Sequence, residues 1–219
     1  MRAELTTEIK ERALRQLGEV GAPALSLRAI AREMGMSSSA LFRYFPNRDA
    51  LLTALIVDAY SRLADAAEHA HDAAAGAPVL ERWVAICHGV RDWAVAHPHE
   101  YALVYGSPVP GYTAPEDTAA PAWRVPRLLT GLLVEIAGER PAGTWPDLPP
   151  DVDAAVATAA PTIPDDLPRD LVVRGLMVWT YLFGAVSFEL FGHRHGVVDD
   201  GRVVFDHEVR RLAEALGLG

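Results

Sequence analysis

Apolar residues recur at intervals of three and four along almost the whole chain, and no alternating run is long enough to predict a β-strand. The first periodic stretch has Ile9, Ala13 and Leu17 on one side and predicts a helix over about Thr7–Leu17. Two glycines and a proline follow it and end the helix. The pattern therefore predicts an all-α fold.

Two short helices come next and leave room for only a tight turn between them. Ser26 is placed to cap the first, over Leu27–Met34, and Ser37 to cap the second, over about Ser38–Phe45. Gly35 lies between them, where it can adopt the left-handed conformation that closes a helix. This arrangement predicts a helix-turn-helix, whose second helix enters the major groove of DNA.

The second of these helices carries the side chains expected to meet DNA. Ile30, Met34 and Leu41 fall where two steeply crossing helices need apolar contacts. The positions left pointing outward are Ser38, Ser39, Phe42 and Arg43. Arginine suits guanine edges, and short serine side chains allow close approach to phosphates or bases.

The remainder of the chain predicts a second, larger helical domain. A long fourth helix begins after Asn47 and reaches about His71. Further helices are predicted over Val79–His97, Glu100–Tyr105, Val125–Gly138, Leu171–Phe191 and Phe205–Leu216. Residues 107–126 hold five prolines and residues 141–168 hold seven, which predicts loops there, with a short helix over about Val152–Ala160. We expect a DNA-binding domain over residues 1–50 and a helical ligand-binding and dimerisation domain over residues 51–219.

Charge is divided unevenly along the chain, whose net charge is −9. Residues 1–50 carry eight basic and six acidic side chains, a net charge of +2, whereas the rest carries 12 basic and 23 acidic side chains, a net charge of −11. The cationic excess coincides with the predicted groove-reading motif, and the acidic remainder discourages other contacts with phosphate.

Cysteine content and hydropathy bear on the compartment. The single cysteine, Cys87, excludes an internal disulfide, which fits a reducing cytoplasm. The N-terminal residues lack the apolar stretch of a signal peptide. The most apolar run, Leu176–Phe188, spans 13 residues, short of the roughly 20 that a bilayer requires. We therefore expect a soluble cytoplasmic protein with no membrane partner.

The segment Ile30–Leu52, IAREMGMSSSALFRYFPNRDALL, resembles the N-terminal signature of the tetracycline-repressor (TetR) family of bacterial regulators. In that family, a three-helix helix-turn-helix head is joined to a larger helical body that binds a small molecule and forms a dimer. The resemblance is specific over about residues 8–55 and architectural beyond them. It implies DNA-binding roles for Arg28, Ser37, Ser38, Ser39, Ala40, Phe42, Arg43, Tyr44 and Arg48.

Some of these positions depart from the family pattern. Arg48 stands where the family usually has a lysine that contacts phosphate, and arginine keeps the charge while adding a fork of donors. Ser39 occupies a position usually filled by glycine. Phe42 replaces the usual tyrosine, so a hydroxyl contact to phosphate is missing and affinity is expected to depend more on Arg43 and Tyr44.

Two segments of the C-terminal part also resemble the family, Tyr101–Gly106 (YALVYG) and Glu189–Gly196 (ELFGHRHG). They imply that helices near residues 171–191 and 205–216 pack against their copies in a homodimer as a four-helix bundle. The first of these helices is apolar on nearly every face, more than one neighbouring layer in a monomer covers. The alternative is a central helix that is fully buried within one chain.

Aromatic residues in the body indicate a pocket for a small, largely apolar effector. Trp83, Cys87, Trp123 and Trp179 are the candidates to line it, although each of them alone is more often a core residue. We expect no cofactor besides this effector.

Neither a metal site nor an enzyme has support in the sequence. The histidines occur mostly in pairs two residues apart, a spacing that does not place both rings on one helical face. Cys87 and His88 are neighbours, so on a helix their side chains point about 100° apart. The chain contains no nucleophile elbow, phosphate-binding glycine loop or HExxH motif.

These features predict a ligand-responsive transcriptional regulator, most simply a repressor, which binds a near-palindromic operator as a homodimer and is released by its effector. The alternative is a helical protein that binds a small molecule or a partner and whose head no longer binds DNA. The departures at Ser39 and Phe42 leave that alternative open.

Overall fold

The helices of the protein follow the apolar periodicity of its sequence. The structure is a computed structural model and describes residues 2–139, 145–157 and 163–217. Every regular element within these ranges is helical, which confirms the all-α prediction. In chain order the helices are α1 (Arg2–Val20), α2 (Leu27–Glu33), α3 (Ser38–Leu41), α4 (Arg48–Ala73), α5 (Val79–Ala96), α6 (Pro98–Tyr105), α7 (Ala119–Ala122), α8 (Arg124–Gly138), α9 (Pro150–Val156), α10 (Arg169–Leu190) and α11 (Gly201–Ala215).

Packing divides the chain into two compact units. The first comprises residues 1–62 and 97–122, and the second comprises residues 63–96 and 123–219. Helix α4 contributes residues to both. The first unit continues through the beginning of α4 and also includes α6 and α7, so it is not the same division as the functional boundary expected at residue 50. That boundary stays a prediction.

The core of the first unit joins α1 to the helix-turn-helix. Ile9, Ala13 and Leu17 are buried along one face of α1, at the spacing that predicted the helix. They belong to a cluster with apolar residues of α2, α3 and the first turns of α4, among them Ile30 and Leu41. Burial of each large apolar side chain contributes about 1.5–3 kcal/mol, so this cluster fixes the positions of the short helices α2 and α3.

The second unit is built around α5 and α10. Helix α10 packs against α5, α8 and α11, and α5 also packs against α8 and α11. Trp83 on α5 is buried, and its Nε1 donates to the Val209 carbonyl of α11 at 2.8 Å. Arg91, only 7% exposed, forms a bidentate ion pair with Glu189 of α10 at 2.8 and 2.5 Å. Paired in this way, the buried guanidinium holds α5 against α10.

Helix α10 is apolar but is not fully covered within one chain. By length and composition alone it is the single helix among the described residues that could cross a membrane, although a core helix of a soluble protein meets the same criteria. Leu182 and Val186 are buried, whereas Met177 and Phe188 are 60% and 55% exposed. A central helix buried on all sides, the alternative considered above, is therefore not what the single chain forms.

Several predicted boundaries differ from the observed ones. The second helix of the helix-turn-helix was expected over Ser38–Phe45, but α3 ends at Leu41 and a turn continues through Tyr44. The reason is a change in hydrogen bonding, because the amides of Arg43 and Tyr44 bond to carbonyls three residues earlier, which tightens the last turn.

The first proline-rich stretch, residues 107–126, was expected to be a loop but contains the single-turn helix α7, and α8 begins at Arg124, one residue before its predicted start. Pro126 lies in the first turn of α8, where a missing N–H costs no hydrogen bond. In the second stretch, 141–168, α9 ends at Val156, before the predicted end at Ala160. Residues 141–144 and 158–162 of that stretch lie outside the described residues.

Candidate functional site

Ser26 caps the N-terminus of α2, and Arg28 points outward from this helix. The Ser26 hydroxyl accepts a hydrogen bond from the Ala29 amide at 3.3 Å, and the Ser26 amide donates to Gln16 of α1 at 2.6 Å. Leu27 and Ile30 are buried in the core of the first unit. Because those two side chains point inward, Arg28 lies on the exposed face of α2.

The turn between α2 and α3 has a defined geometry. Gly35 has a φ of 65°, the left-handed conformation predicted for it. The Met36 amide bonds to the Ala31 carbonyl at 2.9 Å, and the Gly35 amide bonds to the Arg32 carbonyl at 3.1 Å. This pair of hydrogen bonds is the Schellman motif, which closes a helix and directs the chain into the next element.

Helix α3 is capped by Ser37 and anchored by Leu41. The Ser37 hydroxyl accepts from the Ala40 amide at 3.2 Å and lies 3.0 Å from the Ser39 hydroxyl. Leu41 is completely buried, and Phe45 is buried just beyond the helix. The exposed residues are Ser37, Ser39, Phe42 and Arg43, while Ser38, Ala40 and Tyr44 are half-buried. The outward direction predicted for Ser39, Phe42 and Arg43 agrees with this arrangement.

The cationic side chains of this surface have different surroundings. Within the part of the chain that the structure describes, neither Arg28 nor Arg43 makes a side-chain hydrogen bond or ion pair. Arg48 is instead held within the protein, because its guanidinium donates to the Ala22 carbonyl at 2.7 Å and lies 3.7 Å from Asp49. The structure also places the Arg2 guanidinium over the Tyr44 ring, 5.8 Å from the centroid.

Sequence reasoning did not identify two of these features. Arg2 precedes the predicted start of α1, so no pattern connected it with Tyr44. The Arg48–Ala22 hydrogen bond joins residues 26 positions apart, and a backbone carbonyl carries no signal in the sequence. The nine residues named from the family signature therefore stay predicted DNA contacts, and Arg2 is a further cation at the same surface.

The second unit contains a cavity of about 240 Å³. Its wall is formed mainly by apolar residues of α8 and α10, with further residues from α5 and α9. Trp83, Trp123 and Trp179, three of the four predicted pocket residues, line it. Cys87 is buried but is not part of this wall. The structure thus brings the three indoles together around one space.

Cys87 and His88 do not form a nucleophile–base pair. Burial raises the pKa of the Cys87 thiol well above its ordinary value, which keeps it protonated. His88 instead lies 2.9 Å from a carboxylate oxygen of Asp206 on α11. Across the described ranges, no group of three or more histidine, cysteine or acidic side chains is arranged to hold a metal ion.

Comparison with known families decides the identity of the chain. Residues 9–55 match the sequence pattern of bacterial regulatory proteins of the tetR family, and residues 83–212 match the tetracyclin repressor-like C-terminal domain. The second match alone covers more than half of the chain. The protein belongs to the TetR family. The membership confirms the resemblance in Ile30–Leu52 and places the protein in a class of transcriptional regulators rather than enzymes.

Individual relatives of the chain are regulators by name. The chain is 38% identical over 237 positions to the HTH-type transcriptional regulator Rv1816 of Mycobacterium tuberculosis, with 98% of this chain and 93% of the relative covered. The regulator Mb1846 of Mycobacterium bovis matches to the same extent. A crystal structure of the candidate regulatory protein SCO4313 is 35% identical, with a TM-score of 0.81 and 97% of each chain covered.

Proposed function

We propose that this TetR-family regulator is a cytoplasmic repressor, which binds a near-palindromic operator as a homodimer and is released by a small apolar effector. The observation that carries the proposal is the exposed surface of α3 and of the turn that follows it, where Phe42 and Arg43 point outward just beyond the buried Leu41. A short helix held from behind in this way is what a groove reader requires.

The chemistry of the surface suits the major groove. Arg43 can donate two hydrogen bonds to a guanine edge, and the Phe42 ring can contact a thymine methyl group. Arg28 on α2 supplies a second exposed cation for phosphate. We expect Arg48 to contribute to DNA binding mainly through the electrostatic field of its charge, because part of its guanidinium already donates to the Ala22 carbonyl.

Exposed apolar residues of the second unit support a dimer. Met177, Thr180, Gly184, Phe188 and Phe191 follow one another at spacings of three and four along and just beyond α10, which places them on one face. Phe188 and Phe191 are 55% and 45% exposed in the single chain. A second copy packed on this face would cover them, with the two recognition helices then about 34–36 Å apart on DNA.

The effector would act by preferring one conformation of the dimer. A ligand changes operator affinity only by its difference in affinity for the two conformations, typically about 1–3 kcal/mol. The apolar cavity of the second unit is the site at which we expect it to bind.

Gel-shift titration of DNA flanking the protein's own gene tests the DNA-binding surface. Arg43→Ala should weaken binding to the footprinted site by about 1–3 kcal/mol, which is roughly tenfold to a hundredfold. Arg127→Ala removes an equally exposed arginine from α8 in the second unit and serves as the matched control. Equal affinity of the two variants would show that α3 is not the recognition helix.

A second candidate function is a helical small-molecule-binding or partner-binding protein that no longer binds DNA. Phe42 favours it, because an apolar ring that is 39% exposed stands where the family usually offers a hydroxyl. Salt dependence separates the two functions. Sequence-specific binding that weakens steeply with rising salt supports the repressor, whereas only weak and sequence-independent binding supports the second candidate.

A further inference from the structure

We propose that the cavity of the second unit selects uncharged, hydrocarbon-rich ligands with at most one small polar group, and discriminates against carboxylates and amines of the same size. This inference rests on the proposed function only in taking the cavity to be the effector site. Its basis is the chemistry of the wall and of the charged residues beside it.

Among the described residues, the wall of the cavity holds no ionisable side chain. Aliphatic residues such as Leu129, Val172 and Val178 line it together with three indoles, and Thr130 is the one hydroxyl-bearing residue of the described wall. Such a surface gains free energy when it covers apolar groups and has nothing to offer a charge.

The polar groups that the wall does contain are largely engaged. The Trp83 indole N–H donates to the Val209 carbonyl at 2.8 Å. The Trp179 indole N–H is buried and has no hydrogen-bond partner among the described residues, and it is not exposed to the cavity in this conformation. The Thr130 hydroxyl donates to the Pro126 carbonyl at 2.9 Å, which leaves its oxygen free only as an acceptor. A neutral hydroxyl group on the ligand can donate to that oxygen.

Most cations that neighbour the wall residues in sequence are neutralised by their own partners, and Arg127, which follows the wall residue Pro126, is exposed on α8. Arg124, which follows the wall residue Trp123, bonds to Glu68 at 2.5 Å and to Asp65 at 2.6 Å. Arg174, which precedes the wall residue Gly175, bonds to Asp170 at 2.6 Å. A carboxylate in the cavity would therefore lose its hydration without gaining a cation from the described part of the wall, and an ammonium group would find no carboxylate there.

Gly175 sets the width of the cavity where α10 approaches α8. A Cβ atom at this position would lie 2.6 Å from Cδ1 of Leu133, and both residues line the cavity. The absence of a side chain thus allows the Leu133 side chain its present position. The added methyl group of Gly175→Ala must displace the Leu133 side chain, which would then take up space that a ligand needs.

Three probes with one body and different polar groups test the selectivity. Diphenylmethanol, diphenylacetate and diphenylmethylamine share the same two rings and carry a hydroxyl, a carboxylate and an ammonium group at neutral pH. We expect calorimetric titration of the full-length protein, without DNA, to give diphenylmethanol the highest affinity. Each charged probe should bind at least about tenfold more weakly.

Two variants test whether the probes bind in this cavity. Thr130→Lys adds a cation to the wall and should reverse the ranking, so that diphenylacetate binds more tightly than diphenylmethanol. Gly175→Ala should weaken all three probes together, and Gly131→Ala, an exposed glycine on α8 outside the wall, should leave all three unchanged. Circular dichroism establishes that each variant is folded, and if Thr130→Lys is not, the wild-type ranking and the glycine pair decide.

The proposal is overturned if either charged probe binds the wild-type protein as tightly as diphenylmethanol, if no probe binds, or if Gly175→Ala has no effect. None of these results depends on operator DNA. A failure of the selectivity is therefore distinguishable from a failure of the repressor function, which would show as absence of sequence-specific binding in the gel shift.

Discussion

At the scale of single residues, two arginines of the helix-turn-helix region have different surroundings, which residue type alone does not predict. Arg43 and Arg48 both lie in the segment that matches the family signature. Arg43 is exposed, as the helical spacing predicted, whereas Arg48 donates to a backbone carbonyl 26 residues earlier. Periodicity predicts the face on which a side chain lies, but it does not predict which distant group that side chain meets.

Asp206 offers a residue-scale prediction in the second unit. Its hydrogen bond with His88 lowers the pKa of the Asp206 carboxyl, as does its hydrogen bond from Arg210, while partial burial opposes both. Because this pKa is lower in the folded chain, the interaction stabilises the fold above the ordinary value of 3.8 and is lost as the pH falls below it.

We expect Asp206→Asn to lower the free energy of unfolding at pH 7 by less than about 1 kcal/mol, since the side chain is half-exposed and water screens the charge. The difference from the wild type should shrink as the pH falls below 3.8 and through the lowered pKa of Asp206. Urea unfolding at a series of pH values measures it. A deficit that did not shrink over this range would assign the effect to packing rather than charge.

At the scale of elements, the long helices and the short α2 and α6 were predicted, whereas the single-turn helices were not predicted correctly. Each of α1, α4, α5, α8, α10 and α11 has several turns of apolar periodicity and was predicted in its place, although α1 begins five residues and α11 four residues before the predicted start. Helix α7 and the short α3 are single turns whose lengths depend on local hydrogen bonds. Three or four residues are too few to show a period, so sequence reasoning missed α7 and made α3 too long.

The turn at Gly35 gives an element-scale prediction. A Cβ atom there would meet nothing within 4 Å, so Gly35→Ala tests backbone conformation without a steric clash. We expect a loss of about 1–2 kcal/mol in the free energy of unfolding, the cost of a left-handed conformation for alanine, as measured by urea denaturation.

A matched control substitution is not expected to lower the free energy of unfolding. Gly131 lies within α8, is exposed, and a Cβ atom there would also meet nothing within 4 Å. Gly131→Ala should leave stability unchanged or raise it by up to about 1 kcal/mol, because alanine favours the helix. Equal effects of the two substitutions would contradict the role assigned to the φ angle of Gly35.

At the scale of the whole molecule, the sequence predicted the family, the class of function and an apolar pocket, but not all of the residues that line the cavity. Three of the four residues chosen for the pocket line one space, and Cys87 does not. Trp83, Cys87 and Trp179 lie on predicted helices, and the relative rotation of those helices decides which of them face the space. That rotation depends on contacts between distant residues, such as Arg91 with Glu189, which composition and spacing do not reveal.

The proposed dimer gives a prediction at this scale. Met177→Glu and Phe188→Glu each place a charge on the exposed face of α10, and a charge buried in a subunit interface without a partner costs several kcal/mol. We expect the molar mass measured by light scattering to fall from that of a dimer to that of a monomer. Operator affinity should fall with it, because each monomer offers a single recognition helix.

Val20→Glu provides the comparison, since Val20 is an exposed apolar residue on α1 in the first unit. This variant should keep the molar mass of the wild type. A dimer that persisted in both α10 variants would place the subunit interface elsewhere.

Trp83 has two neighbours of different kinds, because one indole ring both borders the cavity and is fastened through its nitrogen to the backbone of α11. A molecule that occupies the space thus touches a side chain secured to a helix proposed to pair two subunits. Ligand binding and dimerisation are then linked in one thermodynamic cycle. If the ligand changes the dissociation constant of the dimer by some factor, dimerisation changes the dissociation constant of the ligand by the same factor. In the proposed dimer, dilution of the protein would therefore also change its affinity for a molecule that fills the cavity.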